Sequence, residues 1–273
     1  MPVINTNVSA LNAQNALSRN ARTMSDAMQD LSTGTRINSA KDDAAGLAIG
    51  QSMTSQVRGL NQGIRNLNDG INMIQTAEGA LTQTTDMLQR MRELAVQASN
   101  GTLSGTQRGY LGTEFAALAQ QISKIASDTT WNGTAILGGS AAYTFQAGMN
   151  SGQTISVIIG TGLSASGMGL NATAISIGTA ASASGAIDTV DLAITAVSTQ
   201  RATLGATINQ MTYAVDNLAS ISTNISASRS SIMDTDYASA SSQLSKSQII
   251  QQAATAMLAQ ANQQPQSVLS LLK

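Results

Sequence analysis

The chain has 273 residues, 42% of them hydrophobic but only 3% aromatic and 11% charged, with a net charge of −1. It holds no His and no Cys, which excludes Ser-His-Asp and Cys-His catalysis, ordinary zinc, haem and iron–sulfur sites, and disulfides. A near-neutral chain also lacks the electrostatic footprint of nucleic-acid binding, and scarce aromatics favour side-by-side helices with small interfaces over a compact enzyme core.

The opening, Met1-Pro2-Val3-Ile4-Asn5-Thr6-Asn7, has neither the basic nor the apolar region of a Sec-type signal peptide. No run of about 18 apolar residues reads as a membrane span. On those features alone the chain reads as cytosolic. The strongest pattern is apolar spacing that alternates three and four, the coiled-coil period. It first runs through Leu17, Ala21, Met24, Met28 and Leu31, then breaks at Gly34 and the loop from Thr35 to Ser39. It resumes at Val57, Leu60, Ile64, Leu67, Ile71 and Ile74, skips Glu78, and continues at Leu81 and Leu88. This stretch has no Pro, so the spacing predicts one helix over about 44–99, stopped by Asn100-Gly101.

A shorter helix carries Leu111, Phe115, Leu118, Ile122 and Ile125, and ends in the run from Asp128 to Gly133. Composition then turns to Gly, Ser, Thr and Ala over 131–185. Residues 143–146 and 154–159 read as strands of a small hairpin region. Residues 171–185 are expected at the surface, burying little. The longest series follows: Ile187, Val190, Ile194, Val197, Arg201, Leu204, Ile208, Met211, Val215, Leu218, Ser222, Ile225, Arg229 and Ile232. A last one runs through Ile250, Ala254, Met257, Ala261, Val268 and Leu271. The expected fold is mainly α: a long antiparallel coiled-coil helical bundle with a small β-hairpin region.

Several motifs carry a resemblance. The run Leu31-Ser32-Thr33-Gly34-Thr35-Arg36-Ile37-Asn38-Ser39-Ala40-Lys41-Asp42-Asp43-Ala44-Ala45-Gly46-Leu47-Ala48-Ile49, preceded by Ile4-Asn5-Thr6-Asn7, resembles the N-terminal signature of bacterial flagellins. Leu88-Gln89-Arg90-Met91-Arg92-Glu93-Leu94-Ala95-Val96-Gln97 is similar to a D1 helix motif of the same family. So are Asp236-Tyr237-Ala238 and Leu258-Ala259-Gln260-Ala261-Asn262-Gln263-Gln264-Pro265-Gln266-Ser267-Val268-Leu269. The resemblance covers about 1–140 and 186–273. It implies a D0 coiled coil of 1–34 with 238–273, spokes at 35–44 and 232–237, and a D1 rod of 45–231 that includes the 131–185 hairpin and loop region. The outer domains of longer flagellins have no counterpart. The chain departs from the family pattern at Ala240, where a Glu is usual, so the spoke's local ion pair is expected to be missing.

The resemblance further implies a subunit that polymerises into the bacterial flagellar filament for swimming. It would be no enzyme, need no cofactor, and bind neither nucleic acid nor membrane. Its partners would be copies of itself, an export chaperone and the type III export apparatus, and the hook-associated and cap proteins. Export by that apparatus would place it outside the cell without a Sec signal. Ile250, Met257, Val268 and Leu271 are the implied filament-core residues. Gln89, Arg90, Leu94 and Glu114 are the implied contacts for the flagellin-sensing Toll-like receptor. Arg90 and Leu94 stand four apart, on one helix face.

Other features have plainer explanations. Asp42-Asp43 and Asp234 with Asp236 could pair as catalytic or metal-binding carboxylates, but acids at helix starts cap free amides. Gly167-Met168-Gly169-Leu170-Asn171-Ala172 fits a loose dinucleotide pattern without the strand–helix context that pattern needs. The pairs Gly46/Gly50 and Gly59/Gly63 suggest close helix approach within a bundle or between subunits. Asn-x-Ser/Thr sequons at Asn7, Asn132, Asn171 and Asn224 are expected by chance in such a composition, and the family allows O-linked sugars over 173–184. Two other readings remain at this point: a hook–filament junction protein, and a soluble coiled-coil signalling adaptor. Electron microscopy after salting out separates long filaments from small closed oligomers.

Overall fold

A computed structural model of the chain describes residues 6–139, 141–160, 164–170 and 175–270, with only the backbone described at 141 and 264–270. Five helices are present among them: α1 (Val8–Thr33), α2 (Ala44–Ser99), α3 (Gly105–Asp128), α4 (Ala180–Met233) and α5 (Tyr237–Ser270). Between α3 and α4 lie β1 (Thr130–Trp131), β2 (Thr134–Ala135), β3 (Ala141–Gln146) and β4 (Thr154–Ile159). The chain divides into two compact units, Met1–Ser55 with Asn224–Lys273, and Gln56–Thr223.

The Gln56–Thr223 unit is a helical bundle with β-hairpins. α2 and α4 run antiparallel, as the pairs Arg92–Asp191, Glu78–Arg201 and Asn61–Ser222 show. α2 buries Leu60, Leu67, Ile74, Leu81, Leu88 and Ala95 at seven-residue intervals, and Gly63, Gly70, Ala77, Thr84, Met91 and Ala98 at a second set of sevens. α4 does the same with Ala183, Val190, Val197, Leu204 and Met211, and with Ala186, Ala193 and Thr207. This is a heptad seam with a large-residue track and a small-residue track. The sequence pattern catches the first track but misplaces the second by one residue. Ile64, Ile71 and Glu78 on α2, and Ile187, Ile194, Arg201 and Ile208 on α4, flank the seam half-buried instead of filling it. The small track leaves open space along each helix, while the larger neighbours cover the edges.

Two further expectations change. Residues 171–185 were expected to bury little, yet Ile177 and Ala183 are buried and α4 already begins at Ala180. Residues 171–174 lie outside the described residues. The hairpin and loop region is therefore shorter than 131–185. Also, one 18-residue stretch of α4 reaches a mean hydropathy of 1.2. Its helix buries a regular stripe in the bundle, which takes up 28% of that stretch.

The small track has a second use. A β-carbon at Gly63 would stand 3.1 Å from the Ala147 carbonyl oxygen, and one at Gly70 would stand 3.0 Å from the Phe145 ring. Gly59 faces Met149 in the same way. The segment that leaves β3 thus lies directly against the α2 backbone, where Asn66 Nδ2 donates to the Gln146 carbonyl at 3.3 Å. β3 and β4 pair antiparallel from Ala141↔Ile159 to Gln146↔Thr154. β4 turns Ile155, Val157 and Ile159 inward, and Gln200 Nε2 of α4 donates to the Ile158 carbonyl at 2.8 Å. β1 and β2 form a two-residue hairpin on Asn132-Gly133, at φ 48° and 79°, the left-handed pair that a type I′ turn requires.

The glycines give opposite expectations. Gly63→Ala drives a methyl against backbone and should destabilise this unit by about 1–3 kcal/mol. Gly79, in the same helix, has nothing within 4 Å of its would-be β-carbon. Gly79→Ala should stabilise by about 0.5–1 kcal/mol through helix propensity. Urea unfolding of the two variants beside the parent chain checks the signs.

Candidate interaction surfaces

α1 and α5 pair antiparallel in the other unit. Asn7 Nδ2 donates to the Ala261 carbonyl and Asn20 Nδ2 to the Ser247 carbonyl, each at 2.7 Å. Ala10, Ala13, Leu17, Asn20, Met24 and Ala27 form the α1 side of the seam, and Ala240, Leu244, Ser247, Gln251, Ala254, Leu258 and Ala261 the α5 side. Among the described residues of these helices only Asn20, Ala27 and Ser247 are buried. Large apolar side chains point away: Val8, Leu11, Met28, Ile249, Ile250 and Met257 are all exposed, Met257 at 64%. Ala21 and Met28, placed on the seam by the sequence spacing, are exposed on its flank. Ile250 and Met257, seven residues apart, share an outward stripe. Of the other two filament-core candidates, the Val268 side chain and all of Leu271 lie outside the described residues.

A strap joins these helices to α2 and α4 within the same unit. Gly34 ends α1 in the left-handed region, at φ 73°, where glycine carries no penalty. Arg36 N donates to the Met233 carbonyl at 2.7 Å and Thr235 N to the Gly34 carbonyl at 3.0 Å. Arg36 Nη2 adds a bond to the Ile232 carbonyl at 2.8 Å. Asn38 Nδ2 bonds Thr35 O and Asp30 Oδ1 at 2.7 and 3.2 Å. The strap is held by backbone pairing and amide side chains around the buried Ile37. The exposed Lys41–Asp26 pair at 3.5 Å adds little.

The carboxylates here are caps. Asp43 Oδ1 accepts from Gly46 N at 2.9 Å at the start of α2, and Asp236 Oδ1 from Ala238 N at 2.9 Å at the start of α5. Asp42 accepts from Asn38 N and from Ser39 N and Oγ. Desolvation would raise its carboxyl. The hydrogen bonds from Ser39 and Asn38, with nearby Lys41, outweigh that and hold it below the ordinary 3.8. Gly46 leaves room for Asp43 and Ile37, and Gly50 for the Met233 sulfur, which accounts for that glycine pair inside the unit.

In the Gln56–Thr223 unit, Arg90 bridges α2 and α3. Its Nε meets Glu114 Oε1 at 2.9 Å and its Nη1 meets Glu93 Oε2 at 3.0 Å, all three side chains about half exposed or more. The bonds to Glu114 and then Glu93 raise its pKa further, so it stays cationic. Arg92 pairs with Asp191 of α4 at 2.6 Å. Gln89, Arg90 and Glu114 are exposed. Leu94 does not: it is fully buried in the core. Four residues on a helix turn through about 400°, and the small angular step from Arg90 carries Leu94 from the rim into the bundle. Leu94→Ala should cost this unit about 2–5 kcal/mol by opening a cavity. Arg90→Ala should leave the urea midpoint nearly unchanged, since both its partners remain solvated. Equal shifts in the two variants would contradict this placement.

Comparison with known proteins yields a consistent result. A family model described as the bacterial flagellin N-terminal helical region matches residues 4–142, and one for the C-terminal helical region matches 187–272. The chain is 44% identical over 273 residues to a flagellin of Halalkalibacterium halodurans, covering 99% of this chain and all of that one. It is 42% identical over 303 residues to a flagellin of Bacillus subtilis, with 99% of each chain covered. Among solved structures, the crystal structure of Bacillus cereus flagellin aligns at a TM-score of 0.50 and 30% identity, over 60% of this chain and 94% of that one.

Proposed function

The chain belongs to the bacterial flagellin family and is a structural subunit of the flagellar filament, not an enzyme; from that premise we propose that its terminal helices complete their folding only when subunits assemble. One observation carries this reading. The α1–α5 seam buries just Asn20, Ala27 and Ser247 among the described residues, while Val8, Leu11, Met28, Ile249, Ile250 and Met257 stay in water. A pair with so little core cannot offset the entropy of ordering two helices, at about 1.5 kcal/mol per residue. Neighbouring copies covering the outward stripe would supply the missing burial, about 25 cal/mol per Å2 of apolar surface. Heterologous contacts that do not close into a ring give an open helix.

In this division 1–34 with 238–273 form the D0 coiled coil, 35–44 and 232–237 the spokes, and 45–231 the D1 region. An α5 left uncovered before assembly is what an export chaperone would hold while the type III apparatus passes the chain outward. The same end helices would meet the hook-associated and cap proteins at the filament ends. Hydrogen exchange on monomer, on chaperone complex and on filament tests the reading. Residues 240–265 should exchange freely in the monomer and be protected in the other two. Strong protection in the free monomer would overturn it, as would salting out that yields only small closed oligomers under the electron microscope.

The Arg90 surface supports a second, host-facing role: recognition by the flagellin-sensing Toll-like receptor. An Arg whose partners leave it half exposed, beside Gln89 and Glu114, is a suitable anchor. Arg90→Ala monomer should lower the reporter-cell response about tenfold. Unchanged response to this variant would remove Arg90 from any such contact.

A further inference from the structure

Asn7 holds two partners at once. Its Oδ1 accepts from the Ala10 amide at 3.0 Å and caps α1, while its Nδ2 donates to the Ala261 carbonyl of α5 at 2.7 Å. The two partners fix the amide orientation, because exchanging O and N would set donor against donor and acceptor against acceptor. Ala261 is no ordinary acceptor. In an α-helix its carbonyl takes the amide hydrogen of residue 265. Residue 265 is Pro, which has none. α5 nevertheless continues to Ser270. The Asn7 amide therefore fills the gap that Pro265 opens in the α5 hydrogen-bond ladder, and both groups are half-buried, where an unmet carbonyl is costly.

Asn20 acts differently. From a buried site it donates to the Ser247 carbonyl at 2.7 Å. Residue 251 is Gln and keeps its own amide, so Ser247 is one acceptor among many along α5. Ser247 and Ala261 are two heptads apart on one stripe. Were α5 to slide by a heptad, Asn20 would still find a carbonyl. Slid so that Asn7 faced Ala254, it would meet a carbonyl that already holds the amide of residue 258. We infer that Asn7 and Pro265 form a matched lock that fixes the register of the α1–α5 pair, with Asn7 as the positioning residue. Within the terminal pair, the lock makes the first turn of α1 and the last turns of α5 depend on each other.

A double-mutant cycle on assembled filaments tests the lock. Asn7→Ser retains an N-cap oxygen but is too short to reach α5. With Pro265 present it should raise the critical concentration for assembly about tenfold. Pro265→Ala returns an amide hydrogen to the Ala261 carbonyl, and in that background Asn7→Ser should raise it less than about twofold. The Asn7→Ala variant, which loses cap and donor together, should keep a penalty in both backgrounds. An equal Asn7→Ser penalty with and without Pro265 would overturn the lock, as would no penalty in the parent chain. Failure of Pro265→Ala to assemble at all would do the same, since that change returns the ladder bond and favours the helix.

Discussion

How closely another segment can approach a helix backbone governs how this molecule packs. On both long helices of the Gln56–Thr223 unit, alternate heptad positions hold small residues: Gly63, Gly70, Ala77 and Thr84 on α2, and Ala186, Ala193 and Thr207 on α4. A small residue at such a position leaves room for a neighbouring segment, whose main-chain and Cβ atoms supply dispersion contacts. Leu67, Ile74, Leu81 and Leu88 on the other track of α2 fill the core, so a chain with 3% aromatics still has one. The same constraint admits the hairpin: glycines of the small track leave room for residues 145–149 on the surface of α2. Phe115 is then a wedge from α3, fully buried among smaller neighbours.

Much of this was legible in the sequence. The spacing and the stop at Asn100-Gly101 place α2 over the residues it occupies, because a long Pro-free heptad series has few other solutions. The large-residue track of the seam was equally plain. The small track was not, since Gly, Ala and Thr carry no hydrophobic mark and the eye passes to the Ile residues beside them. The same error put Leu94 on the surface with Arg90: a helix face one residue wide cannot be assigned without knowing which track is central. Asn132-Gly133 was legible and went unread; the dipeptide is a hairpin signal in its own right. Ion pairs between helices, such as Arg92–Asp191, depend on the register of distant segments, which local spacing does not contain.

The two units divide the work of stability and assembly. One buries a continuous heptad core with Leu, Ile and Val on one track and small residues on the other. The terminal pair has the period but little buried payload: only Asn20, Ala27 and Ser247 are buried among the described residues, Leu17, Met24, Leu244 and Leu258 are half-buried on the seam, and other large apolar groups lie outside. An inverted distribution of this kind costs the isolated subunit stability at its ends. It also leaves the surfaces that neighbouring copies can bury, so the free energy of ordering the ends and the free energy of polymerising become one quantity. On the proposed reading, coupling order to assembly keeps the apolar stripe from committing early.

A seam that weak needs something other than hydrophobic fit to set its register. Ala and small polar residues slide past one another at little cost, because each heptad looks like the next. Directional bonds discriminate where bulk does not. A buried Asn at one seam position is a recognised register device, but α5 offers it a carbonyl at every turn. Before its last turn, a helix has a carbonyl without a helical donor only where a proline removes one. Placing that carbonyl opposite the cap of α1 joins two ordinary helix-end problems, an uncapped start and an interrupted ladder, so that each solves the other only in one alignment.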